Sequence, residues 1–485
     1  MPLQQLEIST GFYASDSLPL CAQRCINWIP VMPQAGALSQ RALFDAPGLT
    51  LFSTVTGVNR GGQEMKEVPY FVNGNSLFSV SSDGVSTNLG AIEGSGRVSL
   101  ANNGQYLVIV VPNGKAYAYN NVSGGLAEIT DVDFTARKAS TVAYKDGFFV
   151  FTAADGSVFF NSSLNDPFTF SGLDFGTAEI NPDRIIGLHV NHNELYVLGS
   201  ETIELFQNIG GSGFPFQRIP GANIQKGVHG KFSLSEFDNT FTFVGGGINE
   251  GSAVWKVSGS SSAVKISTSA IDNAIQEFTR SEIENCFSWT YALGGNYFVG
   301  FTFESDRIPN KTFVYDATTS ALSGASTWHE RQTGVTDNSW RVNSIVSAYG
   351  KLMVGDALGG NIGYIDKTNY TEYGDVMVQE KSSKPFSAGG LPFFAGEVRL
   401  TMESGVGLAT GQGSDPIVRM DFSDDGGRTF SSEFSRSYGK IGEYMSLPTW
   451  RRQGRIPRHR VIRFKTSDPV KSVIIKLEAN IDVGQ

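Results

Sequence analysis

The chain has 485 residues, 18% of them charged and 12% aromatic, with 56 Gly, 34 Phe and 16 Tyr. This describes a large β-rich globular chain, because aromatic side chains fit a pleated surface and glycine supplies turns of positive φ, while a formal net charge of -9 argues against a protein that coats nucleic acid. Three cysteines (Cys21, Cys25 and Cys286) are too few for a disulfide framework and lack zinc spacing, which points to synthesis in the cytoplasm, and neither a cleaved signal nor an apolar run of about 18 residues is expected.

In chain order, residues 1–64 read as irregular, with breakers at Pro30–Pro33 and Ala46-Pro47-Gly48 and with Trp28 and Phe44 as anchors against another part of the molecule. Between Val68 and Asp366 one phrase then recurs seven times: a short apolar run, a Gly/Asn/Asp turn and a second apolar or aromatic run. Examples are Pro69–Val80, Ser99–Val111 and Trp289–Phe303. The turn residues Gly74, Gly104, Gly147, Asn193, Asn239, Gly295 and Gly350 follow one another at 30, 43, 46, 46, 56 and 55 positions. Such a period signals radial repetition, four strands to a blade. Residues 65–373 are therefore expected to form a β-propeller of seven blades, or six if the short first unit is shared, with a strand from elsewhere completing it.

One helical pattern interrupts the repeats at Ser267–Ser281, where Ile271, Ile275 and Phe278 recur at i, i+4, i+7. From residue 374 to 485 the period is lost. Longer alternating runs at Gly396–Met402, Ile417–Phe422 and Val470–Ala479 predict a separate all-β, sandwich-like domain.

A search for chemistry returns mostly absences. His189 and His192 are the closest histidine pair, but i and i+3 on a strand point to opposite faces, and His329 is expected to pair with Glu330 and Arg331 beside it. The Gly-rich stretches Gly210–Gly213 and Gly245–Gly251 are followed by no helical pattern, so they read as loops and not nucleotide sites. Ser423-Asp-Asp-Gly-Gly-Arg-Thr-Phe430 fits the Asp-box pattern, in which Ser423, Asp425, Gly427 and Thr429 tie a hairpin turn through local bonds. The box occurs once and its expected role is structural. No catalytic turnover, cofactor or required metal is expected.

The sharpest charge feature is Trp450–Lys465, seven Arg or Lys without an acid. A solvated strand edge, phosphate contact with DNA and pairing with an acidic neighbouring subunit all fit it. Arginine's bidentate fork suits carboxylates and phosphates alike, and in a net acidic chain the subunit reading is favoured. Arg451, Arg452, Arg455, Arg458 and Arg460 are the expected contact residues, facing a subunit or adaptor.

Taken together, several phrases resemble a known family. They are Ser17…Cys21-Ala-Gln-Arg-Cys-Ile-Asn27, Ala46-Pro47-Gly48-Leu49 with Arg60-Gly61, Ile266–Ile271, Thr312–Asp316 with Trp328-His-Glu-Arg331, and Asp425–Phe430 followed by Trp450-Arg-Arg, Arg460 and Ser467-Asp-Pro-Val470. In collinear order from about residue 8 to 480 they look like the packaged-DNA stabilisation proteins, the tail hub or nozzle subunits, of short-tailed bacteriophages. Trp28-Ile29 departs from the Leu-Tyr expected there. The resemblance implies a virion tail protein, made in the host cytoplasm, six copies of which form a ring below the portal and its adaptor. Such a ring would close the DNA exit channel, meet a needle, spike or fibre protein, and let double-stranded DNA pass transiently. The rival reading is a host-surface propeller that holds a glycan through loops such as Ile209–Phe216 and Glu304–Lys311.

Overall fold

Each of the seven phrases folds as an antiparallel hairpin. Left-handed residues occupy the turns: Gly74, Gly104, Gly147, Gly295 and Gly350 in five, His192 and the pair Asp238–Asn239 in the others. The computed structural model describes residues 3–33, 36–178, 183–210 and 213–482, and arranges these hairpins as seven blades of a β-propeller. Blade five has a broken first strand, in which Gly227–Val228 and Ser235–Phe237 pair with successive parts of Thr240–Gly246.

The short interval between Gly74 and Gly104 has a different cause from a shared strand. In blade one the phrase joins the second and third strands, Val68–Asn73 and Ser76–Val80, whereas in the other blades it joins the first and second. The first turn of blade one lies at Lys66 and Glu67, both at positive φ. The borrowed strand belongs instead to blade seven. Gly48–Thr54 pairs antiparallel with Asn361–Asp366 and leads directly into Asn59–Met65, the first strand of blade one, so one stretch of chain locks the last blade to the first. The approach there is close: a Cβ on Gly360 would stand 1.7 Å from the Val55 carbonyl oxygen. Side chains reinforce the closure, with Ser344 Oγ donating to Asn59 Oδ1 at 2.8 Å and Asn343 Nδ2 donating to the Asn59 carbonyl.

Residues 3–64, read above as irregular, carry strands of two to seven residues, some paired locally and others with partners hundreds of positions away. Leu3–Leu6 and Ala42–Asp45 pair with Ile474–Asp482, and Cys25–Ile26 pairs with Gln379–Ser382. The C-terminal body is thus a β-sandwich of two sheets built from both ends of the described chain. Trp28, Leu43, Val398, Met420, Trp450, Phe464 and Leu477 fill its core. Trp28 is fully buried, as an anchor should be, and its indole Nε1 donates to the Ser472 carbonyl at 3.0 Å. Phe44 is 40% exposed because strand alternation turns it away from Leu43.

Blade six and the sandwich are stitched together by the same N-terminal stretch. Ile26 bridges Glu330 in parallel register, and Arg24 grips Glu330 through Nε at 3.1 Å and Nη2 at 2.9 Å. Arg24 also reaches Asp337, which Lys311 holds from the other side at 2.8 Å. The expected helix Ser267–Ser281 resolves into two, Ser269–Gln276 and Arg280–Glu284, because Thr279 and Glu282 form a capping box that starts the second.

Strand alternation that sends Glu330 to Arg24 turns His329 inward, edge-on to Phe298 at 5.9 Å, and neither ring nitrogen has a partner. The expected pairing with its neighbours therefore does not form. Burial, with the Arg331 charge adding to it, pulls the imidazole from 6.5 to about 3. The sign follows directly: the unfolded chain takes up a proton near pH 6.5 that the native one refuses, so stability is flat above that pH and falls below it. His329→Leu is expected to make the decline between about pH 6 and about pH 5 shallower by about 1.4 kcal/mol per pH unit, read by urea unfolding. An unchanged slope would mean that His329 is already protonated when folded.

Candidate subunit-contact surface

The basic run divides between strands of different sheets. Thr449–Ile456 is an edge strand of the first sheet, and after Pro457 and Arg458 the chain crosses to His459–Thr466 inside the second. The crossing sorts the arginines. Arg460 shares the inward face of Ile462 and Phe464, where Asp424 accepts its Nε and Nη2, both at 2.7 Å. The guanidinium also lies 3.7 Å from the ring centre of Phe422 and donates to the Gln453 carbonyl at 2.8 Å. Its side chain is 4% exposed. Arg460, expected among the contact residues, is therefore held within its own chain, and its guanidinium is not offered to a partner. Arg463 is held likewise by Asp421 at 3.0 and 2.6 Å.

Arg451, Arg452, Arg455 and Arg458 remain at the surface. Arg451 reaches Glu397 at 3.3 Å, and the hydrogen bond from Arg399, aided by Arg451, holds that carboxyl below its usual range. Among the described residues Arg452, Arg455 and Arg458 have no hydrogen-bond or ion-pair partner. The strand that carries Arg452 and Arg455 is bulged: its register against Phe393–Met402 slips between Ala395 and Glu397, with Arg452 at φ 57 and Gly454 at φ 78. A bulged, cationic edge resists strand addition, so it presents side chains to a partner and not open backbone. Phe394 stands directly opposite Arg455 and is 50% exposed, with Leu391 close by in sequence and also exposed. Both were missed from sequence, although Phe393-Phe394 in an alternating run must place one ring inside and one outside. Arginine beside an exposed aromatic is a composition enriched at protein contacts.

The Asp box closes as its pattern requires. Asp425 Oδ1 accepts the backbone N–H groups of Arg428 and Thr429 at 2.9 and 3.0 Å, and Thr429 Oγ1 donates to Oδ2 at 2.6 Å. Ser423 Oγ accepts from Gly427 N at 2.8 Å. Hydrogen bonds from Ser423 and Thr429 hold the Asp425 carboxyl well below the usual carboxylate range, so its contribution is present above about pH 4 and fades as pH falls further. The turn packs against the N-terminal stretch, for a Cβ on Gly426 would lie 2.6 Å from Pro19 Cα. Solvent screens this exposed carboxylate. Asp425→Ala is accordingly expected to cost only about 1 kcal/mol, lowering the calorimetric midpoint by about 1 °C, and no shift at all would deny the turn a stabilising role.

One mouth of the propeller axis is closed by a side chain. Arg97, between blades one and two, bonds the side-chain and backbone oxygens of Asn343 in blade seven and lies 4.0 Å from the ring centre of Phe287 in blade six. It borders both a cavity of about 220 Å³ between the first strands and a wider one of about 920 Å³ outside them.

The loops of the glycan reading offer little to stack on. Gly211 and Ser212 lie outside the described residues, as they do for the Gly210–Gly213 stretch, while Phe214 and Phe216 pack on Phe159 and Phe148. Glu304–Lys311 contains no aromatic residue. Among the described residues no three of His, Cys, Asp and Glu are grouped to hold a metal ion, and no helix is long and apolar enough to cross a membrane. His192 serves as a turn residue at φ 51. All three thiols are free and buried, and burial raises those of Cys25, to about 11, and Cys286.

Comparison with known proteins places these observations. The chain is 24% identical over 98% of its length, and 98% of the relative's, to the tail hub protein gp10 of Salmonella phage P22. Solved structures that resemble it include a chain of the mitotic checkpoint complex, with 12% identity, a TM-score of 0.40, and coverage of 70% of this chain and 98% of that one. Another is the C-terminal WD40 domain of Sif2, with 12% identity, a TM-score of 0.39, and coverage of 66% and 99%. Two family models, described as the β-propeller and the β-sandwich of bacteriophage P22 Gp10, match residues 4–370 and 386–482. With seven blades, a sandwich and both models matched in order, the chain belongs to the P22 Gp10 family of phage proteins.

Proposed function

We propose that this chain is a structural subunit of the tail hub of a short-tailed phage. In this reading six copies form a ring beneath the portal-attached adaptor, close the DNA exit channel after packaging and conduct DNA during ejection. The ring meets a needle, spike or fibre protein at its far side, resides in the virion tail, is assembled from chains made in the host cytoplasm, and performs no catalysis. The observation that carries the reading is the collinear relation, over 98% of both chains, to a protein named as a tail hub.

Physical arguments support the finer parts. Arg97 bars the propeller's own axis, so duplex DNA has to pass between copies around a cyclic axis. A subunit of net charge -9 repels a duplex bearing about one charge per 1.7 Å and lets it slide. The unpaired Arg452, Arg455 and Arg458 give each copy a cationic face that acidic surface on the next can meet. Native mass spectrometry of the purified chain, alone and with its adaptor, tests the ring. A particle of six copies is expected in at least one condition, and a monomer in both would overturn it.

A further inference from the structure

The 920 Å³ cavity at the propeller mouth is not accounted for by the ring reading. Four cations line it, of which Arg307 pairs with Glu282; the other three reach it from different blades, Arg60 from blade one, Arg97 from before blade two and Lys231 from blade five. Among the described residues none of these three forms an ion pair. Their partners are neutral. Arg60 donates to the carbonyls of Gly96 at 2.7 Å, Gly74 at 2.9 Å and Ile92 at 3.3 Å, and its Nη2 is buried with no acceptor. Arg97 spends its donors on Asn343, and Lys231 has only Ser140 Oγ at 3.4 Å. Burial lowers the pKa of all three, that of Arg97 to about 10, and outweighs the opposing charges of Glu304 at Arg97 and Glu284 at Lys231.

The acids of the cavity lie on the blade-six side and form no ion pair with these cations, although Glu304 is near enough to Arg97 for their charges to act on each other. Glu282 is occupied by Ser305, Thr279 and Arg307, while Glu304 and Asp306 stand on the same connection. Over Arg60 the chain runs Gly94-Ser95-Gly96 with both glycines at positive φ, 99 and 76. The Arg60 guanidinium lies beneath this stretch, where a Cβ on Gly94 would stand 4.0 Å from Nη2 and 3.0 Å from the Val111 side chain.

We propose that this mouth binds a carboxylate of a partner peptide, an acidic side chain or a chain end that lodges among Arg60, Arg97 and Lys231. A cavity of this volume is in the range that holds small ligands and short segments. A duplex fits it poorly: the cations sit deep, with three acids beside them, whereas a phosphate backbone needs a continuous basic surface. The site belongs to one propeller and does not depend on the number of copies in a ring.

The test uses the full chain and a fluorescein-labelled oligo-aspartate peptide, followed by anisotropy at physiological salt, with inorganic phosphate and a duplex oligonucleotide as competitors. Saturable binding is expected, weakened about tenfold or more by Lys231→Glu and retained by Lys231→Arg, with the unfolding midpoints of both variants unchanged. Absence of saturable binding overturns the proposal, as does binding indifferent to Lys231→Glu. Displacement by the duplex or by free phosphate as effectively as by unlabelled peptide, lost in Lys231→Glu, would assign the mouth to phosphate and overturn the peptide assignment.

Discussion

Leu49→Asp is expected to open the propeller at its seam and to cost about 4–5 kcal/mol, enough to leave much of the chain unfolded in mild urea. Leu49 is fully buried in the cluster of Val354, Ile365, Trp340 and Phe298, on the strand that blade seven takes from the N-terminal stretch. A carboxylate there is buried among apolar side chains, and the substitution removes the hydrophobic contact that holds Gly48–Thr54 onto Asn361–Asp366. The amides of both strands are expected to lose protection in hydrogen exchange, since their pairing closes the ring of blades. Loss of under about 1 kcal/mol with protection intact would show that the seam is not a main source of stability.

Reversing Arg452 and Arg455 together to Glu is expected to abolish assembly while leaving the monomer folded. Both side chains are exposed and without described partners, so fold stability should change by no more than about 0.5 kcal/mol each. A head-to-tail ring repeats the same contact at every interface, so the like-charge penalty of one contact is multiplied by the number of copies. Sedimentation of the double variant, alone and with the adaptor, should find only single chains and a midpoint of unfolding like the parent's. Normal tails that leak or eject DNA differently would place the strip on the lumen instead. Arg460→Ala serves as contrast: it leaves Asp424 unpaired and is expected to act on stability before assembly.

The hairpins were legible because alternation and turn chemistry are local: Tyr144-Lys-Asp-Gly147 announces a turn wherever its strands end up. What local pattern cannot state is the partner. Gly48–Thr54 reads as seven residues after a breaker, and nothing in it names Asn361–Asp366. The same holds for Cys25–Ile26, paired with Gln379–Ser382 and, like Ala22–Gln23, too short to carry a period, which is why the first 64 residues looked irregular. At the contact surface the run of arginines was visible, but its division was not, because it depends on Pro457 and Arg458 crossing between sheets. Once His459–Thr466 is placed, parity with Ile462 and Phe464 turns Arg460 inward to Asp424. Arg60 was visible only within the Arg60-Gly61 phrase and Arg97 carried no signal, since the cavity both border with Lys231 is a product of ring closure.

Pairing between Leu3–Leu6 and Leu477–Asn480 has a kinetic consequence. Ribosomes add about 5–20 residues per second, so the earlier strand waits on the order of half a minute to a minute and a half before its partner exists. By the end of that interval all seven blades have their strands, the last of them Asn361–Asp366, while the sandwich still lacks Ile474–Asp482. Contacts of such sequence separation are slow to form and come last. A chain interrupted before Ile474 would therefore lack a sheet that its own first residues need, and would present no finished surface to a growing tail. Within the described chain the sandwich is thus the part whose pairing strands are made furthest apart, Leu3–Leu6 before every blade and Ile474–Asp482 after all of them.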